Sequence, residues 1–129
     1  MNELSLLLVM IGGFFGAICR FAMGEWIQTS YGFPLDTFII NLIGCFSLGW
    51  FLTFINRKKK FKAEYTLLIG TGFIGSFTTF STFSVEILDL FQDGLVFLGV
   101  IYILASTLIG FIFVYIGHKL ALTRRREVM

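Results

Sequence analysis

The chain has 129 residues, 57% of them hydrophobic, 18% aromatic and only 14% charged, with seventeen phenylalanines and one proline, and its mean hydropathy is +0.87. A soluble domain of this size could not hydrate such a surface, which excludes a water-soluble enzyme. The net charge is only +2, but its placement is uneven: nine of the ten basic residues fall in two clusters, Arg57, Lys58, Lys59, Lys60 and Lys62, then Lys119, Arg124, Arg125 and Arg126.

The charges leave four uncharged windows, 4–19, 37–56, 65–85 and 94–118, each near the length of about 20 residues that crosses a bilayer. They predict one all-α membrane domain of four spans, at about 4–27, 35–56, 65–91 and 95–120. Four spans take about 80 residues, leaving short loops and no second domain. Glu3 stands where a secretory signal would be basic, and no small-residue cleavage site follows, so the first span is expected to stay in the mature protein.

The first span carries Gly12, Gly13, Gly16 and Ala17. Small residues one turn apart let helix backbones approach in lipid, so this is a predicted packing helix. Pro34 suits the first turn of the second span, in which Asn41, Cys45 and Gly49 recur every four residues and mark one face. In the fourth span Tyr102, Ser106 and Gly110 do the same. The third span reads GTGFIGSFTTFSTFSVE from Gly70. Its clustered glycines, with Ser and Thr, predict a helix break near mid-membrane, tolerated in a bilayer only where the freed backbone groups find protein, water or an ion.

With four spans the two basic clusters and both termini share one side, which the positive-inside rule makes the cytoplasm of a plasma-membrane protein. The opposite loops hold Glu25, Asp36, Asp89 and Asp93 and no Lys or Arg. Topology and anionic lipid account for the basic clusters without nucleic acid. Cys19 and Cys45 lie inside spans without His or Cys at metal-ligand spacing, and are expected to be buried free thiols.

Gly70, Gly72 and Gly75 satisfy the dinucleotide pattern GxGxxG, but that motif needs a strand before it and a soluble βαβ unit around it, and neither is predicted. From Ser76 to Ser84, phenylalanines at 77, 80 and 83 alternate with Ser and Thr only. Spacing of three keeps the rings near one helix face. Such a stripe can line a narrow anion pore, since hydroxyls donate hydrogen bonds and ring edges are positive. It can equally face lipid while the hydroxyls bond back to the helix's own carbonyls. Arg20 and Asn41 are the basic and amide groups embedded in spans, both towards the non-cytoplasmic end. They mark either a pathway, with Arg20 drawing anions into a vestibule, or a snorkelling Arg20 or one paired with Glu25, Asp36 or Glu86. Glu86 and His118 read as interfacial groups.

The segments GGFFGAICRF, TFIINLIGCF and GFIGSFTTFSTFSVE, in this order over nearly the whole chain, resemble the Fluc (CrcB) family of fluoride channels. The resemblance implies an antiparallel dimer of four-helix subunits with two pores, conducting fluoride passively and so relieving its toxicity. Phe80 and Phe83 would be ring-edge contacts of the pores and Asn41 a pore-side donor. Thr79, Ser81, Thr82, Tyr102 and Ser106 would be candidates for a polar track, Arg20 would match the basic residue of the first motif, and Glu86 an acidic position beyond the rings. A structural sodium ion, not transported, would sit at the dimer centre on the backbone carbonyls of Gly75 and Thr78. Dual-topology homodimers need a weak Lys/Arg bias, whereas this chain has a strong one. A heterodimer with an oppositely biased homologous subunit is therefore expected ahead of a homodimer. A proton-coupled multidrug-type exporter would want a carboxylate in the first span, and 4–19 holds none; a non-conducting scaffold would leave the Phe and hydroxyl run without a role. Enzymatic chemistry has no nucleophile with an adjacent base and no paired carboxylates to work with in the spans.

Overall fold

A computed structural model describes residues 2–27, 32–57 and 62–128, the side chains of 62 and 125–128 apart. Lys58, Lys59 and Lys60 lie outside the described residues, as do the side chains of Lys62, Arg125 and Arg126. The described residues are helical, with no strand among them, and four helices are long and apolar enough to cross a membrane.

The first helix, Glu3–Trp26, starts because Asn2 Oδ1 accepts the Ser5 N–H at 2.8 Å while Glu3 sits against the positive helix end. The second, Leu35–Ile55, begins directly after Pro34, whose missing N–H costs nothing there. The third span runs as Lys62–Tyr65, a π-helical stretch Thr66–Ile74 and one turn Gly75–Phe77, breaks, and resumes as Ser81–Gln92. The fourth, Val96–Val128, has 33 residues, about 50 Å at the usual rise and well beyond a bilayer core of about 30 Å.

Two glycine seams assemble these helices. The first helix lies on the first half of the third span, so close that a Cβ on Gly12 would strike the Leu68 carbonyl and one on Gly16 the Phe73 carbonyl. Gly72 faces them, with Gly12 Cα only 3.0 Å from where its own Cβ would be. The second and fourth helices form the other pair. There Gly49 meets the Val114 carbonyl, Gly117 the Phe46 carbonyl, and Cys45 Sγ packs on Gly110. Small faces thus replace a conventional core, and the buried apolar cluster is small, centred on Phe51, Ile55 and Ile74. Phe14, Phe21, Phe97 and Phe111 point outwards, where lipid tails would cover them.

Three expectations need correction. The glycines at 70 and 72 do not break the helix; they are buried in the π-helical stretch because backbone packing requires them small, and the chain departs from helix only at Thr78 (φ −83°, ψ 162°). The phenylalanine stripe is consequently divided. Phe77 is buried before the break and stacks on Phe73 at 6.2 Å, leaving Phe80 and Phe83 beyond it. Cys19 is exposed rather than buried, since it faces away from the glycine seam.

Candidate functional site

At the break, backbone groups that an α-helix would pair internally are met from other spans. Asn41 Nδ2 donates to the Thr79 carbonyl at 2.9 Å, and the Thr79 N–H donates to Asn41 Oδ1 at 2.9 Å. Arg20 Nη1 reaches the Thr78 carbonyl at 3.4 Å, rather than Glu25, Asp36 or Glu86. A Cβ on Gly44 would collide with the Thr78 methyl, so the second helix is shaped to receive the break. Thr79 Oγ1 accepts the Thr82 N–H at 3.2 Å and starts the second half-helix in the manner of an N-cap.

The hydroxyls of this region divide between the two readings. Thr78, Ser84 and Thr107 bond back to carbonyls four residues earlier at 3.0, 2.9 and 2.9 Å, and Ser76 crosses to the Gly13 carbonyl at 2.8 Å. Ser81 and Thr82 are exposed at the start of the second half-helix, with Ser81 Oγ 3.4 Å from Thr79 Oγ1. Tyr102 and Ser106 behave differently. Tyr102 is fully buried, and among the described residues neither its hydroxyl nor the buried Ser106 Oγ has a hydrogen-bond partner.

Aromatic rings connect these groups. The Phe80 and Phe83 centroids are 6.0 Å apart, Phe83 meets Tyr102 edge-on at 4.9 Å, and Tyr102 meets Phe33 edge-on at 5.1 Å. An open groove of about 410 Å³ on one side of the bundle is lined by Asn41, Thr79, Phe80, Phe83 and Ser106, with Gly75 and Thr78 at its edge. At the far end of the ring series, Phe33, Asp36, Glu86, Asp89 and Asp93 line a second cleft of about 280 Å³. Uncommitted hydroxyl donors beside positive ring edges suit a small, strongly hydrogen-bond-accepting anion in passage.

Two contributors escaped the sequence reading. Thr37, buried, donates to Glu86 Oε1 at 2.6 Å, and Phe33 extends the ring series to the acidic cleft. Thr37 had a signal: it lies one further step of four before Asn41, Cys45 and Gly49, on the same face. His118 is exposed at the opposite end, with Nδ1 2.6 Å from Thr53 Oγ1. Since the Thr53 hydroxyl already donates to the Gly49 carbonyl at 2.8 Å, the ring nitrogen is the donor in that contact.

Residues 7–118 match the family model described as CrcB-like protein, Camphor Resistance (CrcB). The chain is 49% identical over 123 residues, 95% of each chain, to the fluoride-specific ion channel FluC of Oceanobacillus iheyensis. One strain of Bacillus cereus supplies two relatives. Fluoride-specific ion channel FluC 1 is 43% identical over 122 residues (93% of this chain, 89% of the relative), and FluC 2 is 42% identical over 116 (88% and 94%). With matches of this extent laid over four spans and a cross-braced break in the third, the chain belongs to the CrcB family.

Proposed function

We propose that this multi-pass membrane protein is a subunit of a fluoride-selective passive channel through which fluoride leaves the cytoplasm. The observation that carries this reading is the pair of buried, unpartnered hydroxyls of Tyr102 and Ser106 beside the edges of Phe83 and Phe80. A buried hydroxyl without an acceptor is costly to keep; a dehydrated fluoride would accept from both, and the larger chloride is a weaker acceptor. Asn41 keeps one N–H beyond those bound to Thr79, and Thr79, Ser81 and Thr82 lie along the same approach. Arg20 sits at a vestibule, and Glu86, held by Thr37, stands at the acidic mouth.

Phe80 is 79% exposed in the single chain, which supports a second subunit closing the groove as an antiparallel dimer. The strong one-sided Lys/Arg bias favours a heterodimer with an oppositely biased homologue, this chain having both termini in the cytoplasm. The occurrence of paired FluC 1 and FluC 2 relatives in one strain agrees with a two-chain assembly. A structural sodium ion on the Gly75 and Thr78 carbonyls fits the donor chemistry. Because the Thr79 N–H goes to Asn41, the Gly75 carbonyl lacks the donor that an unbroken α-helix would give it, and a hard cation takes such oxygens. The ion would supply fixed positive charge at the dimer centre; Arg20, bonded to the Thr78 carbonyl, is its competitor for that oxygen.

The test is fluoride efflux from liposomes, read with a fluoride electrode and compared with chloride, for this chain alone and with an oppositely biased homologue. Fluoride-selective efflux that disappears in Phe80→Leu and Phe83→Leu, with assembly retained, is expected. Equal chloride and fluoride efflux, or unaltered flux in both variants, refutes the reading.

A further inference from the structure

Asn41 ends on backbone. Its amide faces the peptide group of Thr79, the first residue after the extended Thr78. The Thr79 N–H can only donate, so the atom it meets at 2.9 Å is Oδ1; the nitrogen is then left for the Thr79 carbonyl, also at 2.9 Å. These two contacts fix the orientation of the amide. In an unbroken helix that N–H would go to the Gly75 carbonyl and that carbonyl would take the Phe83 N–H. Asn41 substitutes for both from another span. An amide suits this task because it presents a donor and an acceptor side by side in one plane; a carboxylate lacks the donor and a hydroxyl is too short.

The next residue is Phe80. At 79% exposure its ring is not held by packing within the chain, so its direction is set by the backbone that precedes it. That backbone is braced weakly from the first helix, where Arg20 is 3.4 Å from the Thr78 carbonyl, and closely from the second, where Gly44 admits the Thr78 methyl. The short, paired contacts belong to Asn41.

We propose that Asn41 is a positioning residue: by clamping the Thr79 peptide it holds the break in one conformation and aims Phe80 at the groove. The proposal rests on the channel reading for the role of Phe80. The clamp uses Oδ1 and one N–H, so an ion contact through the other N–H is a separate function with separate consequences.

Exchanging Thr79 for its α-hydroxy analogue turns the Thr78–Thr79 peptide into an ester, deleting the clamped N–H while every side chain stays. The ester channel should lose fluoride flux by about tenfold, the scale of one hydrogen bond. Asn41→Ala should lose at least as much, and the two combined no more than Asn41→Ala alone. In detergent, hydrogen exchange at the Thr79 amide should be slow in the natural protein and about tenfold or more faster in Asn41→Ala. Full flux through the ester channel, or an Asn41→Ala loss that is undiminished in the ester background, would mean that Asn41 acts by touching the ion, and the proposal fails. The ester variant reports even where Asn41→Ala does not assemble. Amide exchange reads the clamp whether or not fluoride passes, whereas unchanged flux in Phe80→Leu would overturn the channel role of that ring instead.

Discussion

Alanine at Gly16 should destabilise the fold, while alanine three residues earlier, at Gly13, should not. A Cβ on Gly16 overlaps the Phe73 carbonyl and comes within 3.1 Å of Phe73 Cα; one on Gly13 has nothing closer than 3.9 Å. Overpacking costs about 1–3 kcal/mol, and the obstacles at Gly16 are backbone atoms that cannot rotate away. Against this, alanine gains up to about 1 kcal/mol of helix propensity over glycine at either site. The expected contrast between two nearby positions on one helix is therefore about 2–4 kcal/mol. Unfolding in mixed micelles of dodecyl maltoside and dodecyl sulfate, followed by the fluorescence of Trp26 and Trp50, measures it. Gly12→Ala should behave like Gly16→Ala, because its Cβ meets the Leu68 carbonyl. Equal effects at all three positions, or none at any, would show that the first helix does not lie backbone-to-backbone on the third span.

Tyr102→Phe and Ser106→Ala should leave the melting temperature unchanged or raised, since an unpartnered buried hydroxyl costs about 1–3 kcal/mol, while lowering fluoride flux. A clear fall in stability would show that these groups have partners within the fold. Replacing sodium by N-methylglucammonium should reduce the dimeric fraction on size-exclusion chromatography, and indifference would remove the cation from the Gly75 and Thr78 carbonyls. A reporter fused to the C-terminus should appear on the cytoplasmic face; equal labelling of both faces would exclude a fixed topology and with it the reason for preferring a heterodimer.

The glycine seams were legible because small residues four apart in an apolar span have few uses other than close packing. The four spans followed from the placement of charge, and the special character of the third from its composition. The position of its break was not legible. Gly70, Gly72 and Gly75 carry the conformational freedom that suggests a break, but the third span stays helical through them because the first helix presses against it. It opens at Thr78, where Asn41, 38 residues distant from Thr79 in sequence, supplies replacement hydrogen bonds. Such pairing between spans leaves no local trace. Tyr102 and Ser106 could be found as polar groups one turn apart in an apolar helix, but their lack of partners needed coordinates. Thr37 resembled an ordinary hydroxyl at a helix start until Glu86 was seen beside it.

The π-helical stretch Thr66–Ile74 has a bearing on how this chain can change length. A π turn closes i to i+5 and so accommodates an extra residue within the helix. Removing one residue between 66 and 74 would let the segment settle into α geometry and rotate the remainder of the span by about 100° relative to the first helix. Thr79 would then turn away from Asn41, and Phe80 from the groove. Natural relatives should therefore show gaps in the connections between spans, and none from 66 to 79.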